Sequence, residues 1–170
     1  MLQRLLAMDC NKWIPDSWVS DTRLWFYTTE QPLSDVQQAY VLNMGTLFFK
    51  KWSAHGQPLL ADWLMPNPQL LVLAVFPGTE PTGCSLDKVS GLIGRIEHDL
   101  GLDFRNRKRL VWVRDLDAIF GEAVHLENEL ESGSGWLNIY ANTAKEFRDN
   151  PILPKNTAWI KRMFNPISFP

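Results

Sequence analysis

The 170-residue sequence has few cysteines, almost no net charge and no long apolar run. Its two cysteines, Cys10 and Cys84, are too few for the disulfide framework of a small secreted protein. Seventeen basic and 19 acidic residues give a net charge of −2, which provides no overall attraction to nucleic acid or to an anionic membrane. The longest apolar run, 70–76, is too short to span a membrane, and the N-terminus lacks the apolar region of a signal peptide. We therefore expect a cytoplasmic protein.

Two familiar kinds of site are also missing. The three histidines are scattered and no CxxC or HxxxH pair occurs, so we predict no metal and no cofactor. Residues 78–85 have the glycine spacing of a P-loop, but Cys84 stands where the lysine that reaches the phosphates belongs, so we expect no nucleotide hydrolysis. The basic cluster at 105–109 is interpreted as a solvated loop. Because the strand at 70–76 lacks the stacking aromatics of RNA-binding domains, we expect no nucleic-acid partner.

The sequence does contain eight tryptophans and a regular succession of strand and helix patterns. Its 45 % apolar and 21 % charged residues are typical of a globular domain. Strand formers mark the first element, Ser34 is a favourable N-cap for the first helix, and an amphipathic stripe ending at Gly101 marks the second helix. The predicted elements are a strand at 23–28, a helix at 35–52, strands at 59–65 and 70–76, a helix at 84–100 and a strand at 110–113.

The order β-α-β-β-α-β predicts an α+β fold with a ferredoxin-like split βαβ core. We assign residues 1–20 to an N-terminal arm and 21–170 to one domain, with the core at about 23–115 and a C-terminal α/β extension at about 116–170. The strand at 70–76 is apolar on both faces, so both faces of the sheet must be covered. The two helices cover one face, and we expect the extension, or the partner in a homodimer, to cover the other.

The predicted start of the second helix places Cys84 where unpaired N–H groups and the helix dipole favour a thiolate. The ferredoxin-like topology brings the end of the first helix, with His55, and the end of the last strand to the same end of the domain. We therefore predict Cys84 as a nucleophile and His55 as its base. The alternatives are a packed, inert cysteine and a histidine that only interacts with the helix dipole. The residues predicted to bind a small anion or a carboxylate are Gly83, Ser85, Asp87 and Arg114.

Two functions are open at this point. The first is a non-enzymatic ligand-binding or protein-interaction module, which we expect because a fold alone does not imply catalysis. Tryptophans exposed in one apolar patch would favour it, and eight buried tryptophans would count against it. The second is a small thiol-dependent enzyme or redox protein, which requires the Cys84 sulfur to be open to solvent and close to His55.

Three blocks of the sequence resemble one protein family. They are Trp52-Ser53-Ala54-His55-Gly56-Gln57-Pro58-Leu59, Thr82-Gly83-Cys84-Ser85-Leu86-Asp87-Lys88 and Thr157-Ala158-Trp159-Ile160-Lys161-Arg162-Met163-Phe164. The chain is similar, from about residue 12 onwards, to small bacterial proteins of Bacteroidetes type that are often labelled "ABC transporter ATPase" automatically. The resemblance implies no catalytic role. The label is not supported by the sequence, which lacks the lysine and the signature motif that such an ATPase needs.

Overall fold

The fold has two antiparallel sheets, a short hairpin and four helices within the residues that this computed structural model describes, namely 13–114, 117–122, 126 and 135–164. The predicted α+β class is confirmed. The elements in chain order are β1 (Arg23–Thr28), α1 (Asp35–Phe49), β2 (Ser53–Ala54), β3 (Gln57–Pro58), β4 (Ala61–Asn67), β5 (Leu70–Val75), α2 (Gly83–Leu100), β6 (Arg109–Arg114), β7 (Asp117–Glu122), β8 (Gly135–Leu137), α3 (Ala144–Asp149), β9 (Ile152–Leu153) and α4 (Ala158–Phe164).

The first sheet has the strand order β1-β5-β4, which is the order of the first three strands in a ferredoxin-like fold. The predicted fourth strand forms as β6, but it pairs with β7 and β8 in a second sheet of order β7-β6-β8-β9. The ferredoxin-like topology is therefore not confirmed. Residues 110–113 are all buried, so their apolar pattern suits a strand in either sheet and does not specify the partner.

Both faces of the first sheet are covered, as the pattern at 70–76 requires. Helices α1 and α2 pack on the face that carries Leu71 and Leu73. The opposite face, with Val72, packs against the second sheet, which contributes Val111 and Leu137. The C-terminal helix α4 then covers the outer face of the second sheet. The order of layers is helices, first sheet, second sheet and α4.

Part of the segment assigned to an N-terminal arm belongs to this core. Trp13, Ile14 and Trp18 are buried on the side of the first sheet that faces the second sheet. The guanidinium of Arg148 donates to the carbonyl oxygens of Pro15 at 2.8 Å and of Trp18 at 2.6 Å, which holds the segment in place. Residues 1–12 lie outside the described residues.

The first helix is shorter than predicted. Helix α1 begins after the Ser34 capping box and ends at Phe49, not at residue 52. The chain then forms the β2–β3 hairpin, whose two turn residues, His55 and Gly56, have φ angles of 50° and 77°. Two positive φ angles are typical of the tight turn that suits a two-residue hairpin. His55 therefore lies in a hairpin turn and not at a helix C-terminus.

Helix α1 approaches β4 closely at Gly45. A Cβ atom at this position would lie 1.7 Å from the Trp63 ring, so only glycine allows the contact. The Trp63 indole N–H donates to the Leu42 carbonyl at 3.3 Å, which ties the helix to the strand at the same place.

Candidate functional site

The start of α2, where the sequence predicts the site, satisfies most of its own polar groups. The Thr82 hydroxyl accepts the Ser85 N–H at 3.3 Å, and the Ser85 hydroxyl accepts the Thr82 N–H at 2.8 Å. Ser85 is buried and its hydroxyl also donates to the Thr82 carbonyl. This capping box leaves the N–H groups of Gly83 and Cys84 as the only early donors of α2 that a small anion could use, and it turns the Ser85 side chain away from solvent.

Cys84 and His55 are both exposed, but the structure gives no interaction between them. The base of the β2–β3 hairpin is attached to α2, because the Trp52 indole N–H donates to the Ser85 carbonyl at 2.9 Å. Within the described parts of the chain, no hydrogen bond or ion pair joins the Cys84 thiol to the His55 ring. Arg114, which was also predicted to bind the ligand, is the last residue of β6. Its side chain lies outside what the structure describes.

A cleft runs along the outer edge of β1, on the side away from β5, and we call it the β1 cleft. Its volume is about 500 Å³, within the range of ligand-binding sites. Asp87 lines it; Cys84, His55, Gly83 and Ser85 do not. The lining consists of β1 at 24–28, Leu86, Asp87, Val89 and Ser90 of α2, the loop at 104–107 with Arg109, and the segment 139–142.

The middle of β1 presents unpaired backbone to this cleft. The N–H and C=O groups of a strand alternate between its two neighbours. The Leu24 N–H donates to Asn142 and the Thr28 C=O accepts from Arg109, both on the cleft side. The N–H and C=O of Phe26 must therefore point the same way, and neither group has a partner among the residues that the structure describes.

Two specific contacts delimit this open edge. At one end the backbone of 142–144 pairs with β1 through an isolated bridge between Arg23 and Thr143. The pairing stops there because the Asn142 N–H donates to the Glu146 carboxylate at 2.8 Å instead of to β1. At the other end the buried Arg109 guanidinium donates to the Thr28 carbonyl and, at 2.9 Å, to the Asp103 carbonyl.

The cleft carries three arginines, two of which are neutralised. The Arg105 guanidinium binds the Glu97 carboxylate, with Nε 2.8 Å from Oε2, and Arg109 lies 3.5 Å from the Asp103 carboxylate. Arg107 is exposed and has no acidic partner in the described ranges. Arg107 is therefore the cleft arginine that can pair with a ligand, and Asp87 is a carboxylate on the same lining.

Two tyrosines border the same charge. Burial raises the pKa of both Tyr27 and Tyr140, and the nearby Arg107 guanidinium partly offsets the rise in each case. The Tyr140 hydroxyl donates to the Arg107 carbonyl at 3.1 Å, which ties the segment 139–142 to the loop at 104–107. The Tyr140 ring packs edge-on against Trp159, 4.5 Å between centroids. Both phenols are neutral at physiological pH. The Tyr27 hydroxyl can donate to a ligand, whereas the Tyr140 proton is already donated to the Arg107 carbonyl.

The sequence interpretation did not find this cleft. It assigned the arginines at 105–109 to a solvated loop, and it gave no role to Tyr27 or Tyr140. The basic cluster is the one signal that could have pointed here, but its meaning depends on the loop lying beside the unpaired edge of β1. That proximity follows from the departure of β6 into the second sheet.

Comparison with protein-family models, with curated proteins and with solved structures finds no match to this chain. In the part of the chain that the structure describes, no helix is both long and apolar enough to cross a membrane.

Proposed function

We propose that this protein is a non-enzymatic binding module whose site is the β1 cleft. The observation that carries the proposal is the Phe26 backbone, which lines a cleft of about 500 Å³ and has no hydrogen-bond partner among the residues that the structure describes. Its walls are held by Glu97, which accepts the N–H groups of Phe104 at 2.8 Å and Arg105 at 3.1 Å, and by the hydrogen bond from Tyr140. A site formed in advance loses little conformational freedom when a ligand binds.

The tryptophans do not supply the contact surface that the sequence suggested. Six of the eight are buried, and the other two, Trp25 and Trp159, are half-buried. The proposal therefore replaces a tryptophan-rich surface with the β1 cleft. It keeps one residue of the sequence prediction, Asp87, and it keeps a carboxylate as the preferred ligand group, now opposite Arg107.

A thiol-dependent enzyme is the second candidate. The exposed Cys84 sulfur at the second residue of α2 favours it. The described residues offer no base in hydrogen-bonding contact with the thiol, which an activated cysteine normally needs. This candidate therefore ranks below the binding module.

Three broader assignments belong to the same proposal. A ferredoxin-like relationship is supported by the order of β1, β5 and β4. A cytoplasmic location is supported by the small number of cysteines. Membership of the Bacteroidetes-type family is supported by the three sequence blocks and brings no activity with it.

The proposal is tested by fluorine NMR of the full chain labelled with 5-fluorotryptophan. Trp25 lines the cleft, whereas Trp112 and Trp136 are buried in the second sheet, so one resonance should report ligands and two should not. We expect carboxylate-bearing aromatic fragments to shift the Trp25 resonance, which Trp25→Phe assigns. Arg107→Glu should abolish the shift, and Lys108→Glu, a neighbouring exposed position outside the cleft lining, should not. Fragments that bind elsewhere, or none that bind, would overturn the proposal.

A further inference from the structure

We propose that the β1 cleft binds an extended peptide segment of another protein, which pairs with β1 as an added strand and places an acidic side chain beside Arg107. This inference rests on the proposed function and names the ligand class of the same site. Addition of a strand to an exposed sheet edge is a general way to recognise peptides, in which backbone hydrogen bonds give affinity and side-chain contacts give specificity.

The backbone groups of β1 define what the ligand must offer. The Phe26 N–H and C=O, the Leu24 C=O and the Thr28 N–H all face the cleft, and the described residues provide no partner for any of them. These four groups span about 13 Å at the usual rise of a strand. An antiparallel segment of about five extended residues presents the complementary donors and acceptors at the same spacing. A compact small molecule would satisfy only part of the row.

The two closed ends of the edge fix the register of the added strand. The Leu24 N–H already donates to the Asn142 carbonyl, and the Thr28 C=O already accepts from the Arg109 guanidinium. A peptide that slid by two residues along β1 would meet one of these groups. Residue positions of the ligand are therefore set relative to Phe26, which is a condition for reading side chains.

Charges on the two sides of the cleft set where an acidic side chain of the ligand is favoured. Helix α2 starts near the Arg23 end of β1, because Arg23 lies 3.1 Å from Glu80 just before the helix. Asp87, in the early part of α2, is therefore at that end, and Arg107 lies near Tyr27 at the other end. An acidic side chain is favoured at the Arg107 end and disfavoured near Asp87. Apolar side chains suit the positions between them, where Val89 and Ile139 line the walls.

The experiment selects ligands from a display library of random linear octapeptides on the immobilised full chain, in parallel on the parent protein and on Arg107→Glu. The parent should enrich peptides with strand-forming residues and one acidic position. Arg107→Glu should enrich peptides with lysine or arginine at that position. Lys108→Glu is the matched control and should select the same peptides as the parent.

Residue-resolved hydrogen exchange tests for backbone pairing directly, because a charge effect at the surface alone would not protect the Phe26 amide. In the free protein the Phe26 amide should exchange much faster than those of Trp25 and Tyr27, which face β5. The selected peptide, made synthetically, should slow Phe26 exchange at least tenfold. Methylation of the peptide nitrogen that faces Phe26 should weaken binding about tenfold, the equivalent of one lost backbone hydrogen bond of roughly 1.4 kcal/mol.

Several outcomes would overturn the inference. They are a selection that yields no peptide, a selected peptide without the acidic preference, and binding that leaves Phe26 exchange unchanged. Strong Phe26 protection in the free monomer would mean that another part of this chain fills the cleft, and protection that depends on protein concentration would mean that a second copy does. If fragments still shift Trp25 when peptides fail, only the ligand class is wrong. If both fail, the binding module itself is wrong.

Discussion

The two edge strands of the first sheet, β4 and β1, differ in how well they are protected against pairing with another strand. On β4, the outward N–H of Trp63 donates to the Asp62 carboxylate at 2.8 Å, and the strand then passes through Pro66 and an irregular register before Asn67. A charged residue, a proline and a bulge are the usual means of preventing another strand from pairing with an edge. On β1, residues 24–28 contain none of these, and the described part of the chain provides no partner for the Phe26 backbone. The difference supports the proposal that β1 is the edge at which another strand pairs.

The largest loss of stability is expected from a substitution of Arg109, whose guanidinium binds the Thr28 carbonyl at the end of β1. Arg109→Met keeps most of the side-chain volume but removes the donors to the Thr28 and Asp103 carbonyls, and Thr28 is buried. We expect the free energy of unfolding to fall by about 3 kcal/mol, because buried acceptors lose charged donors. Denaturant unfolding measures the change. Arg107→Met, at an exposed arginine of the loop that precedes β6, should change the free energy of unfolding by no more than about 0.5 kcal/mol. Equal losses in the two variants would contradict this account of β1.

A smaller effect is expected on the protected edge. Asp62→Ala leaves the outward Trp63 N–H without its acceptor and should lower the free energy of unfolding by about 1 kcal/mol. It should also increase self-association, because the edge becomes available to another strand. Light scattering after gel filtration, over a range of protein concentrations, checks this. Asp62→Asn retains an acceptor oxygen but not the charge, so its free energy of unfolding should match that of the parent. A monomeric, fully stable Asp62→Ala would show that β4 is protected in some other way.

A weaker and purely electrostatic effect is expected within the β1 cleft. Arg107 lowers the pKa of Tyr27 and Tyr140 against the larger effect of burial, so Arg107→Met should raise both pKa values further. Arg105→Met should raise only the pKa of Tyr27. A carbon-13 NMR titration of the tyrosine rings distinguishes the two variants. If neither variant moves the Tyr140 titration, Arg107 does not face this ring.

The same shifts give a pH dependence of stability. Because the folded chain keeps the Tyr27 and Tyr140 protons after the unfolded chain has lost them, the free energy of unfolding should fall as pH rises above the unperturbed value of 10.0. Tyr27→Phe should make that fall shallower, as measured by urea unfolding between pH 9 and 11. An unchanged slope would show that Tyr27 titrates alike in both states.

No effect is expected away from both edges, at the predicted thiol site. In a Cys10→Ser background, the rate of Cys84 alkylation by iodoacetamide should not change with His55→Ala, since the structure gives the pair no contact. Stopped alkylation with mass spectrometry measures the rate. A rate that falls severalfold without His55 would restore the thiol-dependent enzyme and weaken the case for β1.

The sequence predicted what depends on local patterns. The amphipathic stripe from Val89 to Ile96, the Ser34 N-cap and the Gly101 end of α2 all follow from short-range physical preferences, and each is observed. Strand pairing is a long-range choice. Nothing in residues 110–113 distinguishes β1 from β8 as a partner, so the second sheet was not foreseen.

The β1 cleft was not predictable for the same reason. Reactive side chains such as Cys84 and His55 can be found in a sequence, whereas an unpaired backbone N–H has no residue type. Among the described residues, Phe26 lacks a partner because the Asn142 N–H donates to the Glu146 carboxylate and because β6 pairs with β7 and β8. The Asn142–Glu146 contact is local, but its effect depends on the segment 142–144 lying beside a strand more than 110 positions away. The pairing of β6 is likewise a long-range choice that no short motif specifies.

The missing side chain at Gly45 has a mechanical consequence for α1. Helix α1 lacks a strong apolar stripe, so burial alone would allow it to slide or rotate on the sheet. The Trp63 ring fills the space beside Gly45, and a shift by one turn would bring Val41 or Phe49 over the ring, where no Cβ fits. The position of α1 along β4 is thus determined by the absence of a side chain at Gly45. The exposed positions of α1, such as Val36 and Leu47, are free to change in size and polarity, whereas the buried Val41 is not.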